Sequence, residues 1–371
     1  MAKKEKDKLE DLKCKFEKAA NTKKGKVYKY FHNNIEFFKG DIGDIIKQNS
    51  SSFAFACCVG KVFGTCTPTS EFHKAFIQVI TGKGQEIHNI KTLHSSALLG
   101  LLCFYSINKE NPLSITMPFN NEKVKFEFDR VEFEKTNTVF EAKHRIPSVP
   151  SSIDIALYGT ANGKRAVLYL ESKFSEYLNV GDSSSPDKNK RYEQFYKYLA
   201  GEDNKEGQNF LKNCGITFSY KNKNTGKEDG KLHIHNIDKN KQHYCEGLKQ
   251  MVSHTIGVIN SDESDEKEME IYLAPILFDF GNIFKKAEDN KRFSDYCKVY
   301  EKFAAGLKNL RDKLTTSNCY KNFFPDSNNT EAPLVRKKNK LFISDKVFSY
   351  QEFFKNAKFD LPPSVKEYYN L

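Results

Sequence analysis

Asn162-Gly163, set between the runs Ile153–Tyr158 and Ala166–Phe174, constrains this chain more than any other pair of residues. A two-residue type I′ turn needs positive φ at both central positions, so Asn-Gly between two β-rich runs predicts a tight hairpin. Pairing then follows by arithmetic, because opposed residue numbers must sum to 325. Tyr158 faces Val167, Ala156 faces Tyr169, and Asp154 faces Glu171. Opposed residues project to the same side with Cβ atoms about 5 Å apart. Lys173 lies two residues beyond Glu171 and shares that side. Two carboxylates and one ammonium are thus expected together, on strands otherwise rich in Ile, Leu and Val.

Like charges directly opposed destabilise a sheet. Something positive must therefore lie between Asp154 and Glu171, either Lys173 alone or Lys173 together with a divalent cation. Two carboxylates with carbonyl and water oxygens suit Mg²⁺, a hard ion that keeps several waters, and Mn²⁺ would substitute for it. A lysine beside such an ion can position a bound water or balance charge on a pentavalent phosphorus. This is equipment for metal-dependent phosphodiester hydrolysis. The plainer alternative is a surface hairpin with an ordinary cross-strand ion pair. Ile153, Ile155, Leu168 and Leu170 weigh against it, since they imply that the other face is buried too.

Composition limits the remaining choices. With 371 residues, 39% of them hydrophobic, the chain can bury a sizeable core as two domains or as one large domain with insertions. The longest apolar run, Ala97–Tyr105, is nine residues, well short of the roughly 20 that span a bilayer. The opening Met1-Ala2-Lys3-Lys4-Glu5 has no apolar stretch behind it, so membrane and export readings are set aside and a cytoplasmic location is expected. Nine cysteines without a C-x-x-C pair read as reduced thiols. His233, His235, His243 and Cys245 come nearest to a metal cluster, but they lack zinc-finger spacing, and H-x-H is ordinary strand alternation. No G-x-x-x-x-G-K-[ST] occurs, which disfavours a phosphate-loop nucleotidase. The 59 Lys+Arg against 48 Asp+Glu give a net charge of +11, with dense runs at Lys3–Lys8, Lys188–Arg191, Lys221–Lys231 and Arg336–Lys340. A polyanionic partner is compatible with that excess.

The periodicity divides the chain into a helical start, a β-rich middle and a helical end. Residues 3–19 read as an amphipathic helix, Glu71–Ile80 and Ile90–Ile107 as apolar helices, the second carrying the core run Ala97–Tyr105. Short strands are expected at Val124–Phe128, Val131–Phe133 and Val139–Ala142, then at Ile153–Tyr158 and Ala166–Phe174. Helices at 187–199 and Tyr244–Ile259 follow, with Lys221–Gly230 a polar loop and Ile271–Phe278 an apolar strand. Phe293, Tyr296, Val299, Tyr300, Phe303 and Leu307 form a packing stripe on a C-terminal helix. The expected fold class is α/β, of the α+β kind: a central mixed β-sheet flanked by helices, with helical N- and C-terminal additions. The divisions are 1–66 as a helical and strand extension, 67–280 as the core, and 281–371 as a helical region packed on the core.

Asp154…Glu171-x-Lys173 on a hairpin resembles the signature of the PD-(D/E)XK nuclease superfamily, and the order helix, three strands, helix, strand resembles that family's core. Gly82-Lys-Gly-Gln-Glu-Ile87, His94-Ser-Ser-Ala-Leu98, Leu170-Glu-Ser-Lys-Phe-Ser-Glu-Tyr177 and Gly247-Leu-Lys-Gln-Met-Val-Ser-His254 look like a bacterial branch of restriction-endonuclease-like proteins. The likeness covers about residues 80–280. One departure is Ser152, two before Asp154, where the motif's proline is displaced to Pro150. The resemblance implies a restriction-endonuclease-like core and a Mg²⁺-dependent endodeoxyribonuclease acting on double-stranded DNA. It makes Asp154 and Glu171 the metal ligands and gives Lys173 the attacking water. Glu86 matches the place of a further acidic metal ligand, with an exposed helix-start glutamate as the alternative. Gln250 and His254, one turn apart on one helix face, stand where members place a polar residue that touches the site or the DNA, so Gln250 joins the candidate catalytic residues. Ser172 and Ser175 are read as structural and Glu176 as a surface ion-pair residue. A homodimer and a cognate methyltransferase are the partners implied. The other functions kept open are a non-catalytic DNA-binding or assembly protein on a nuclease-like fold, a repair or mobile-element nuclease, and an RNA-directed nuclease.

Overall fold

The computed structural model describes residues 71–81, 95–140, 149–174, 177, 205–221, 228–236, 245–260, 269–282, 287–314 and 341–371. The helices expected at 3–19 and 187–199, the division 1–66, Glu86, Ser175 and Glu176 lie outside them. Two helices come first, α1 (Glu71–Thr81) and α2 (Ser96–Phe104). Strands β1 (Leu113–Phe119), β2 (Glu122–Phe140), β3 (Val149–Ala161) and β4 (Lys164–Lys173) follow. Next are α3 (Lys205–Asn213), the hairpin β5 (Ile216–Lys221) and β6 (Glu228–Asn236), helix α4 (Cys245–Asn260) and strand β7 (Glu270–Leu277). The chain closes with α5 (Ala287–Asn290), α6 (Arg292–Leu314), β8 (Leu341–Ile343), β9 (Phe348–Ser349), α7 (Tyr350–Asn356) and α8 (Pro363–Tyr369).

The result is a mixed α/β fold whose curled sheet is flanked by helices. Its strand order is β1-β2-β3-β4-β7-β8, with β9 also on β7. β1 to β4 form an antiparallel meander, and β7 joins β4 in parallel. A parallel neighbour needs a crossover connection, here the stretch that includes α3, the β5–β6 hairpin and α4. β4 is buried from Ala166 to Lys173, as a central strand covered on both faces must be. α2 is buried from Ala97 to Phe104, and its first turn is capped by Ser95 Oγ, which accepts from the Leu98 N–H at 3.1 Å. The C-terminal stripe packs as expected: Tyr296, Val299, Tyr300, Phe303 and Leu307 are buried along α6. Much of the chain's phenylalanine lines this core, as in the edge-to-face pair of Phe174 and Phe278 at 5.0 Å.

The hairpin has the expected form. Asn162 and Gly163 have φ of 48° and 82°, and the ladder pairs Tyr158 with Val167 and Ala156 with Tyr169. The Asn162 side chain also accepts from the Lys125 N–H at 2.9 Å, tying the turn to β2. Three features differ from the expectation. The short strands foreseen at Val124–Phe128 and Val131–Phe133, with the start of the one foreseen from Val139, are one 19-residue strand, β2, with register shifts between Phe128 and Arg130 and between Thr138 and Phe140. Buried Val124, Phe126 and Phe128 are followed by Val131 and Phe133, so the apolar alternation slips by one residue at the first irregularity. Residues 228–230, read as loop, begin β6, where His233 and His235 pair with Ser219 and Thr217. The C-terminal region is not wholly helical, because β8 and β9 extend the sheet beside β7.

Candidate active site

The β3–β4 ladder runs from Ala161–Lys164 to Ile155–Leu170 and stops there. Beyond that point β3 stays with β2 and β4 stays with β7, whose pairing continues to Lys173–Leu277. The Ser172 N–H, in reach of β3, donates to Asp154 Oδ2 at 2.7 Å. A side-chain carboxylate thus stands where strand pairing ends, and the strands part around it. Ser172 turns its hydroxyl the other way, into the core, 2.6 Å from Tyr350 Oη and 3.3 Å from the Ser96 carbonyl. The structural role read for Ser172 matches this placement.

Glu171 is 1% exposed. The Lys173 ammonium donates to its Oε1, and His254 Nε2 is 2.6 Å from its Oε2. Lys173 Nζ also lies 4.0 Å from Asp154 Oδ2, so one ammonium bridges the two carboxylates. Asp154 is the member that reaches solvent, with 19% of its side chain exposed against 2% for Glu171. Burial by itself pushes the Glu171 carboxyl up. The adjacent Lys173 charge, then His254 by charge and hydrogen bonding, outweigh burial and bring it down to about 2.

His254 comes from α4, which packs against β2 and β3. Its Nδ1 lies 2.5 Å from Ser151 Oγ, a hydroxyl buried on β3 three residues before Asp154. The sequence pairs His254 with Gln250 as one helix face. The structure brings His254 to Glu171, whereas Gln250 sits half-buried a turn earlier and its side chain has no hydrogen-bond partner among the described residues. Ser151 carried no functional signal in the sequence beyond its place in the Pro-Ser-Val-Pro-Ser-Ser approach to Asp154. Its partner is 103 residues away.

As donors, Asp154 and Glu171 fit a small hard divalent cation: two carboxylates from neighbouring strands, the remaining positions left for water. Among the described residues no three His, Cys, Asp or Glu side chains form a metal-ligand set, so the fit rests on these two oxygen donors. Also among the described residues, no helix is long and apolar enough to cross a membrane. No protein-family model matches the chain, and comparison with curated proteins and with solved structures finds no significant match.

Proposed function

We propose that this protein is a Mg²⁺-dependent endodeoxyribonuclease of the PD-(D/E)XK kind, restriction-type in its chemistry, leaving 3′-OH and 5′-phosphate ends. The observation that carries the reading is the meeting of Asp154, Glu171 and Lys173 where the two hairpin strands part. The element order supports it: helix α2, the antiparallel strands β2 to β4, helix α4, then β7 parallel to β4. In that reading the sheet is a restriction-endonuclease-like core.

Asp154 and Glu171 are the residues that would hold the ion, which when bound would lower the pKa of water and neutralise phosphate charge. Lys173 keeps its ammonium between the carboxylates, within reach of a water or a phosphate oxygen at the Asp154 side. The low pKa of Glu171 keeps it charged at any pH at which a nuclease works. Asp154, the exposed member, faces incoming substrate. The net charge of +11 suits a polyanionic partner held through salt-dependent phosphate contacts, and double-stranded DNA is the substrate proposed. Restriction-type action would bring a homodimer and a cognate methyltransferase as partners.

A second reading has its own observation. Both oxygens of Glu171 are paired inside a buried cluster, as in a structural ion-pair network, which suits a DNA-binding protein without catalysis. Incubating the protein with supercoiled and linear DNA, with Mg²⁺, Mn²⁺ or EDTA, separates the two. Cutting that needs metal and is lost in Glu171→Ala supports the nuclease. Retention of DNA with no cutting under any metal supports the binding protein.

A further inference from the structure

We propose that His254 is a positioning residue for Glu171: anchored by Ser151, its imidazole commits one carboxylate oxygen and turns the other toward Lys173 and Asp154. This rests on the cation site proposed above and assigns the device that orients its buried ligand.

A glutamate side chain reaches its carboxylate through three rotatable bonds, so burial alone leaves the two oxygens interchangeable. Here they are not equivalent. Oε2 meets His254 Nε2 at 2.6 Å, and Oε1 receives the Lys173 ammonium. An ionised Glu171 carboxylate accepts the hydrogen on Nε2, and Nδ1 lies 2.5 Å from Ser151 Oγ, a hydroxyl that can donate to a bare ring nitrogen or accept from a protonated one. The two hydrogen bonds hold the ring plane from both sides, as outer partners do for a ligating group. All three members are nearly out of contact with water, Ser151 and Glu171 at 1% and His254 at 3% exposure. None stands on a loop: Ser151 is on β3, Glu171 on β4 and His254 on α4. The strand that supplies Asp154 thus also anchors the ring that orients Glu171, which couples the placement of the two carboxylates. Preorganisation of this kind is what a two-ligand cation site needs, because few ligands leave little else to define it.

The test uses the full chain, with Mn²⁺ alone as the probe in calorimetric titration and ¹⁵N-histidine NMR on the same samples. The wild type is expected to show a far-downfield His254 Nε2–H proton, absent in Glu171→Ala and shifted in Ser151→Ala. His254→Ala, folded by circular dichroism, is expected to bind Mn²⁺ on the order of 10–100-fold more weakly. His254→Gln, which keeps an N–H near the Nε2 position, is expected to recover most of that loss. Unchanged Mn²⁺ affinity in folded His254→Ala, or a loss that His254→Gln does not recover, overturns the proposal. If His254→Ala does not fold, Ser151→Ala carries the comparison: a smaller weakening of the same sign supports the anchor, and unchanged affinity overturns it. A wild type that binds no Mn²⁺ but shows the Nε2–H proton coupled to both partners refutes the cation reading and leaves the positioning intact. A wild type without that proton refutes the positioning whatever the metal does.

Discussion

Glu171→Gln isolates the charge at the centre of the site. In the folded chain Glu171 lies at about 2 against an ordinary value of 4.5. At about 1.4 kcal/mol per unit that difference is worth about 3 kcal/mol of stability. A folded-state pKa below the ordinary value means that the contribution is complete above about pH 4.5 and is lost as pH falls toward 2. Gln has the shape of Glu but no charge, so the variant lacks this contribution at every pH. Urea unfolding of both proteins across a pH series is the assay. The stability gap between wild type and variant is expected to narrow by about 2 kcal/mol from pH 7 to pH 3, the part of the linkage that falls in that window. A gap that stays flat or widens on acidification would refute the claim that Lys173 and His254 outweigh burial at Glu171.

Other perturbations follow from the same geometry. Lys173→Met leaves two carboxylates without their shared ammonium, and breaking such a buried pair is expected to cost about 3–5 kcal/mol at pH 7 by chemical denaturation. Because the lost charge is the largest influence holding Glu171 down, this variant should gain less stability than the wild type when pH rises from 3 to 6. Gly159→Ala places a Cβ 2.0 Å from the Glu127 carbonyl oxygen, so β2 and β3 must shift, at about 3 kcal/mol in the same assay. Tyr350→Phe removes the partner 2.6 Å from Ser172 Oγ while the Ser96 carbonyl remains for that hydroxyl. About 1 kcal/mol lost, with metal dependence of any activity unaltered, is the expected outcome.

The hairpin was legible because its turn sets the phase of everything attached to it. Asn162-Gly163 admits one tight geometry, and counting outward reproduces the pairing from Ala161–Lys164 to Ile155–Leu170. Asp154, Glu171 and Lys173 could be grouped on that basis. Phase is what hid β2. Its alternation moves from even to odd positions between Phe128 and Val131, and Glu134 takes a φ of 51°, so a period-two reading breaks it into fragments. β8 and β9, three and two residues long, are too short to show any period. Ser151 was hidden for a different reason: its role depends on where α4 lands, a tertiary contact that no local spacing encodes. Helical spacing could say that Gln250 and His254 share a face, but not which of them would meet a carboxylate.

Asp154→Asn offers the most direct measurement of the nuclease claim. Asp154 is the least buried of the two carboxylates, and an amide oxygen can still accept from the Ser172 N–H, so the strands stay parted in the same way. Wild type and variant are compared on supercoiled DNA with Mg²⁺, Mn²⁺ or EDTA, after unfolding curves show both folded. The account predicts metal-dependent nicking or linearisation by the wild type and none by Asp154→Asn. Cutting by the variant at the wild-type rate, or cutting in EDTA, would contradict it.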